Sequence, residues 1–167
     1  MRLFPLLLAL AATPSLAAGQ APEIERPAGT PQADGAAHTL RTIPEACARL
    51  EGMFTGDAAA PYRFAAVRTG GPCQPRARLV DTPDAGPDTA AGWILNDVIR
   101  VPHSACPSQE AVVTVWRKPA DAAPPELDGQ GRSRIYLDES MEKIASGDLA
   151  PVPLYAAALS LQGNCTQ

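Results

Sequence analysis

An imidazole, a hydroxyl and a thiol stand almost side by side in the stretch Val101-Pro-His-Ser-Ala-Cys-Pro107. Nucleophilic catalysis would need the hydroxyl or thiol within hydrogen-bond reach of the imidazole, with a third group orienting the ring. Neighbours on an extended chain point to opposite sides, so His103 and Ser104 do not pair by adjacency alone. The flanking prolines mark a loop, and a surface loop pinned by Cys106 is the expectation. His38 is the only other histidine, which leaves His103 as the one candidate for imidazole chemistry.

Carboxylates could run acid–base or glycosidase chemistry if burial raised the pKa of one of a pair. Asp81, Asp84 and Asp88 lie in a Pro/Gly-rich loop, where aspartate is ordinary turn chemistry. Asp97 and Glu110 flank strands, and no spacing singles out a pair. Leu127-Asp-Gly-Gln-Gly-Arg132 has a faint likeness to a calcium loop but lacks the alternating oxygen ligands and the terminal Glu. A tight turn is the better account of it. No cofactor is implied.

Arginine forms the clearest charge pattern. Arg63, Arg68, Arg76 and Arg78 follow one another with no acid between Asp57 and Asp81. Arg76 and Arg78 share a strand face at period two, as do Arg132 and Arg134. Were these strands neighbours, Arg63, Arg76, Arg78, Arg132 and Arg134 would converge on one face suited to carboxylate or phosphate. A solvated sheet face explains the same pattern, since Arg replaces Lys almost throughout this chain. Trp93 and Trp116 sit in strong strands and are expected in the core.

Cys47, Cys73, Cys106 and Cys165 are an even set with wide spacing. Zinc sites usually present close pairs such as C-x-x-C, so two disulfides are expected and no metal. Three pairings are possible. In a meander, alternate connections emerge at the same end of the sheet. If Trp93–Val101 is a single strand, Cys73 would meet Cys106 and Cys47 would meet Cys165.

Disulfides fit the address written at the start of the chain. Residues 1–17 carry one basic residue (Arg2), a short apolar run and a small-x-small ending at Ser15 and Ala17. That is the anatomy of a secretory signal peptide, too short to span a bilayer. The expected product begins at Ala18 and is periplasmic or extracellular, with no transmembrane or lipid anchor. It keeps 13 of 14 basic residues and all 18 acidic ones, a net charge of −5. Such a balance offers no field for nucleic acid.

These groups must be positioned by the elements around them. Residues 18–38 are rich in Pro, Gly and Ala and read as a flexible leader. A single domain is expected over 39–167. Thr42–Gly52 reads as a short helix with Ile43, Cys47 and Leu50 on one face. Strands are expected at Tyr62–Arg68, Arg76–Val80, Trp93–Val101, Ala111–Lys118, Arg132–Leu137 and Val152–Leu161, with a second helix over about Glu139–Ser146. Asn96-Asp97 is either a bulge in one strand or a turn between two. The fold class is therefore α+β: a mostly antiparallel sheet of five to six strands with two short helices, disulfide-stapled.

The absent catalytic constellations and the stapled sheet point to a small exported binding or interaction module, inhibitor-like or an envelope accessory factor. Its partner would be an acidic protein or an anionic envelope polymer met by the arginines. A small secreted hydrolase using Asp97 or the His103 loop is the alternative, and a structural envelope protein a third.

Overall fold

The computed structural model describes residues 20–120, 129–130, 145–146 and 151–165. The expected signal peptide, the strand at Arg132–Leu137 and most of the second helix lie outside the described residues.

The mixed α+β class and the antiparallel pairing hold, but the strands divide between two sheets. One has the order β1 (His38–Ile43), β2 (Ala48–Phe54), β3 (Tyr62–Arg68), all antiparallel. The other has the order β4 (Arg78–Val80), β7 (Leu154–Gln162), β6 (Glu110–Lys118), β5 (Ile94–Pro102). Its pairs are antiparallel except β4 with β7, which is parallel. A four-residue helix, α1 (Thr82–Ala85), and short 3-10 turns complete the described elements. None of the described helices is long and apolar enough to cross a membrane.

The helix expected over Thr42–Gly52 is instead the end of β1, a 3-10 turn at Pro44–Ala46, and β2. Its apolar spacing fits both periods over so short a window. The decisive residues are Ala48, Leu50, Gly52 and Phe54, buried at strict period two. Cys47 makes the corner, in the left-handed conformation at φ 51°.

Both sheets feed one core. Leu40, Ile43, Leu50, Phe54 and Tyr62 from the first meet Ile99, Val101, Ala111, Val113, Val115 and Tyr155 from the second. Leu50, Phe54, Ala111, Val113 and Val115 keep no exposure, so the layers close on each other as dry apolar faces. Trp93 is buried as expected, whereas Trp116 is only half-buried.

Two bulges set the phase of this packing. In β1 the register slips between Thr39 and Arg41, so Arg41 stands opposite Leu50 and shares its inward side. In β5 it slips at Asn96, the bulge alternative for this strand, and Asp97 stands opposite the inward Val115. A bulge inserts one residue and turns every later side chain to the other face. Here it sends one charge inward from each layer.

Residues 20–37, read from composition as a flexible leader, form a strap along the free edge of β5. Glu23, Ile24, Gly29 and Gln32 donate backbone N–H groups to the carbonyls of Leu95, Asn96, Arg100 and Pro102 at 2.8–3.0 Å. The strap then crosses to the other sheet, where Gly35 N–H donates to the Phe54 carbonyl at 2.8 Å. An open sheet edge is a row of unpaired donors and acceptors, and the strap meets that demand with little apolar content of its own.

All four cysteines are in disulfides, but the pairs are Cys47–Cys73 and Cys106–Cys165. The expected pairing fails because the chain is not a simple meander. β4 and β7 run parallel, and β7 and β5 both run against β6, so β4 and β5 point the same way. Cys73 precedes β4 and Cys106 follows β5, which places them at opposite ends of the sheet. Cys165 follows β7, at the same end as the β5–β6 connection that carries Cys106. In the first sheet, Ala48 pairs with Arg68, bringing the Cys47 corner beside the exit of β3 toward Cys73.

Candidate functional site

Among the described residues, charged and polar chemistry gathers chiefly at two places. The first is the meeting of the two bulges. Asp97 has no exposed surface, and its carboxylate accepts from Arg26 Nε at 3.0 and 2.9 Å and from Arg41 Nη1 at 3.2 Å. Burial pulls the Arg41 guanidinium below its ordinary value while Asp97 pushes it back up. Next along the strap, Glu23 receives Arg117 Nε at 3.1 Å and Nη2 at 2.6 Å, and Asn96 Nδ2 at 2.7 Å. This forked contact with Arg117 holds the Glu23 carboxyl below the usual carboxylate range and raises Arg117 in turn. The network fastens strap, β1 and β5 together. Asp97, weighed from sequence as a catalytic carboxylate, has both oxygens taken up by guanidiniums and no path to a substrate.

The second place is the cleft at the other end of β5. It has a volume of about 690 Å³ and is lined by Asp34, Asp57, His103, Ser108, Gln109 and the Cys106–Cys165 disulfide, among others. Backbone bonds fix its rim: His103 N–H to Gln109 O at 3.0 Å, Gln109 N–H to Cys106 O at 2.9 Å, and Ser104 N–H to Gln32 O at 2.8 Å. Gly163, at φ 74°, turns the end of β7 so that Cys165 reaches Cys106.

His103 is the unusual group of this cleft. It is 8% exposed, and its ring stacks on Phe54 with centroids 4.4 Å apart and planes 16° apart. Its Nε2 lies 3.1 Å from Asp34 Oδ1, an ion-pair distance, yet neither ring nitrogen makes a hydrogen bond. The two observations agree if the carboxylate sits off the direction in which the ring nitrogen presents its proton or lone pair. Buried polar atoms are nearly always satisfied, and the two ring nitrogens of His103, a residue that lines this cleft, are an exception. Ser108, by contrast, is engaged: its hydroxyl donates to Asn164 O at 3.0 Å and lies 3.3 Å from Cys106 Sγ. Among the described residues, no hydroxyl or thiol is hydrogen-bonded to His103.

A smaller hollow of about 450 Å³ opens between β3, β4 and β7 and is lined mainly by apolar residues such as Phe64, Leu79 and Leu159.

Of the arginines expected to share a face, the three among the described residues do not gather. Tyr62 and Phe64 point into the core, so Arg63 points out from the first sheet. Ala77 and Leu79 point into the same core, so Arg76 and Arg78 point out on the side of the second sheet. Arg63 and the Arg76–Arg78 pair therefore stand on opposite outer sides of the two layers, and Arg132 and Arg134 lie outside the described residues. Sequence reasoning did single out His103. It missed Asp34, which sits in the segment taken for a leader, and Asp57; no local pattern marks either.

No protein-family model, curated protein or solved structure matches this chain.

Proposed function

We propose that this chain is a small exported binding module whose ligand site is the cleft at the Cys106–Cys165 end. The observation that carries the reading is His103, buried, stacked and without hydrogen bonds at both nitrogens on the wall of that cleft. An unmet hydrogen-bonding group costs about 1–3 kcal/mol, recovered when a ligand supplies the partner. Asp34 and Asp57 beside it favour a cationic group, such as the guanidinium or amine of a basic peptide segment. The partner class thus shifts from the acidic protein or anionic polymer expected of the arginine pattern, because that pattern is split between two sides of the fold.

Short basic, neutral and acidic peptides titrated into the oxidised, isotope-labelled mature protein test this reading. Basic peptides should shift the amide signals of Gly56, His103 and Gln109. The double substitution Asp34→Asn, Asp57→Asn should weaken them at least about tenfold, the scale of one lost charged contact. Silence at the cleft with every peptide would overturn the reading, as would acidic peptides that shift Arg76 and Arg78 instead.

The Asp34–His103 contact at 3.1 Å favours a second reading, a hydrolase in which His103 handles protons. It requires turnover by the oxidised protein that disappears in His103→Gln. Export predicts that the protein recovered from outside the cytosol begins at Ala18 on N-terminal sequencing.

A further inference from the structure

The same cleft holds a second chemistry that appears only when its disulfide is opened. One ring nitrogen of His103 and the sulfurs of Cys106 and Cys165 all lie within 4.8 Å of one another. We propose that two-electron reduction of Cys106–Cys165 turns this trio into a binding site for a soft divalent metal of the zinc class. The oxidised sulfurs cannot serve, because a thiolate is the metal ligand and the disulfide has no charge to give. A tetrahedral zinc with bonds of about 2.0–2.3 Å needs its ligand atoms roughly 3.3–3.8 Å apart. Nitrogen and sulfurs lie within 4.8 Å of one another, so small shifts bring them to that spacing, and release of the disulfide lets the sulfurs separate to reach it.

Two further observations point the same way. His103 is more than nine-tenths buried, one of its ring nitrogens belongs to the trio, and neither nitrogen is committed to a hydrogen bond, so a neutral ring has a lone pair to give. Asp34, at 3.1 Å from Nε2, can orient the ring or complete the coordination, the usual role of a carboxylate beside a metal-bound histidine. Reduction is also selective by position. Cys106 and Cys73 are both half-buried, but the partner of Cys106, Cys165, is exposed, whereas the partner of Cys73, Cys47, is 3% exposed in the core corner.

The exchange is balanced. A dithiol reductant attacks the exposed sulfur, the Cys106–Cys165 bond breaks, and the reductant leaves as a cyclic disulfide, with two protein thiols formed. Metal binding then displaces both thiol protons as the thiolates coordinate. This proposal stands apart from ligand binding by the oxidised protein, since only the reduced form is involved.

Alkylation and mass mapping after mild dithiol treatment should label Cys106 and Cys165 while Cys47–Cys73 stays closed. That reduced protein, freed of reductant, should take up one equivalent of Co2+ with thiolate-to-metal charge-transfer absorption, displaced by Zn2+; the oxidised protein should take up none. His103→Asn should weaken binding at least tenfold, and Asp34→Asn by about 10–100-fold. Circular dichroism of each variant in the oxidised state separates lost binding from lost folding. Absence of one-to-one uptake, equal uptake by the oxidised form, or unchanged affinity in a folded His103→Asn protein would overturn the proposal.

Discussion

At the scale of single residues, the fold turns on a fully buried carboxylate that holds two guanidiniums, Arg41 largely buried and Arg26 partly exposed. Removing one member of a buried ion pair strands the others without a counter-charge, which typically costs about 3–5 kcal/mol. Asp97→Ala should therefore lower the urea-derived unfolding free energy by roughly that amount. Arg26→Ala should cost less, since its side chain is 40% exposed and water can replace the contact. Tyr62 gives the alkaline limit. Burial raises its phenol well above the ordinary value of 10.0, and its hydroxyl lies 2.7 Å from His38 Nε2. The native state holds this proton after the unfolded chain has released it, so stability is full below pH ~10 and falls as pH rises further. Tyr62→Phe should flatten that decline in chemical denaturation series run between neutral and strongly alkaline pH.

At the scale of elements, β3 to β7 were legible, whereas β1, β2 and the corners were not. The β-branched run Ala111–Lys118 and the aromatic alternation of Tyr62–Arg68 carry their period openly, and both are strands. The segment around Cys47 was misread because three apolar residues fit two periods, and only the partner strand decides between them. The strap was missed for a different reason: composition counts the apolar surface a segment buries, whereas this segment is held by β5 carbonyls and by Glu23 and Arg26. His103 was visible as chemistry, but its carboxylate neighbour comes from a stretch with no sequence relation to it. Deleting residues 20–37 should leave β5 with a bare edge and Asp97 short of a donor. The truncated protein should melt earlier and self-associate at concentrations where the whole protein does not, as light scattering would register. Gly163→Ala places a side chain against the Ser108 carbonyl at a left-handed position. A loss of about 1–3 kcal/mol in thermal unfolding is expected.

For the molecule as a whole, the disulfides record the topology. Non-reducing peptide mapping should find Cys47 linked to Cys73 and Cys106 to Cys165, with no reactive thiol in denaturant. Replacing both Cys106 and Cys165 by Ser should cost about 2–4 kcal/mol and loosen the end of β7 first. The number and oxidation of the cysteines followed from the sequence; their pairing did not, because one parallel neighbour in a sheet reverses which loops share an end. The edge-covering segment has a consequence for the order of events as the polypeptide is made. Ile24 aligns with Asp97, and Gln32 with His103, partners synthesised some seventy residues later. The earliest part of this region to leave the ribosome, or to emerge on the far side of a membrane, is therefore obliged to wait. It stays unpaired until its distant template has been threaded through, so its docking cannot precede β5.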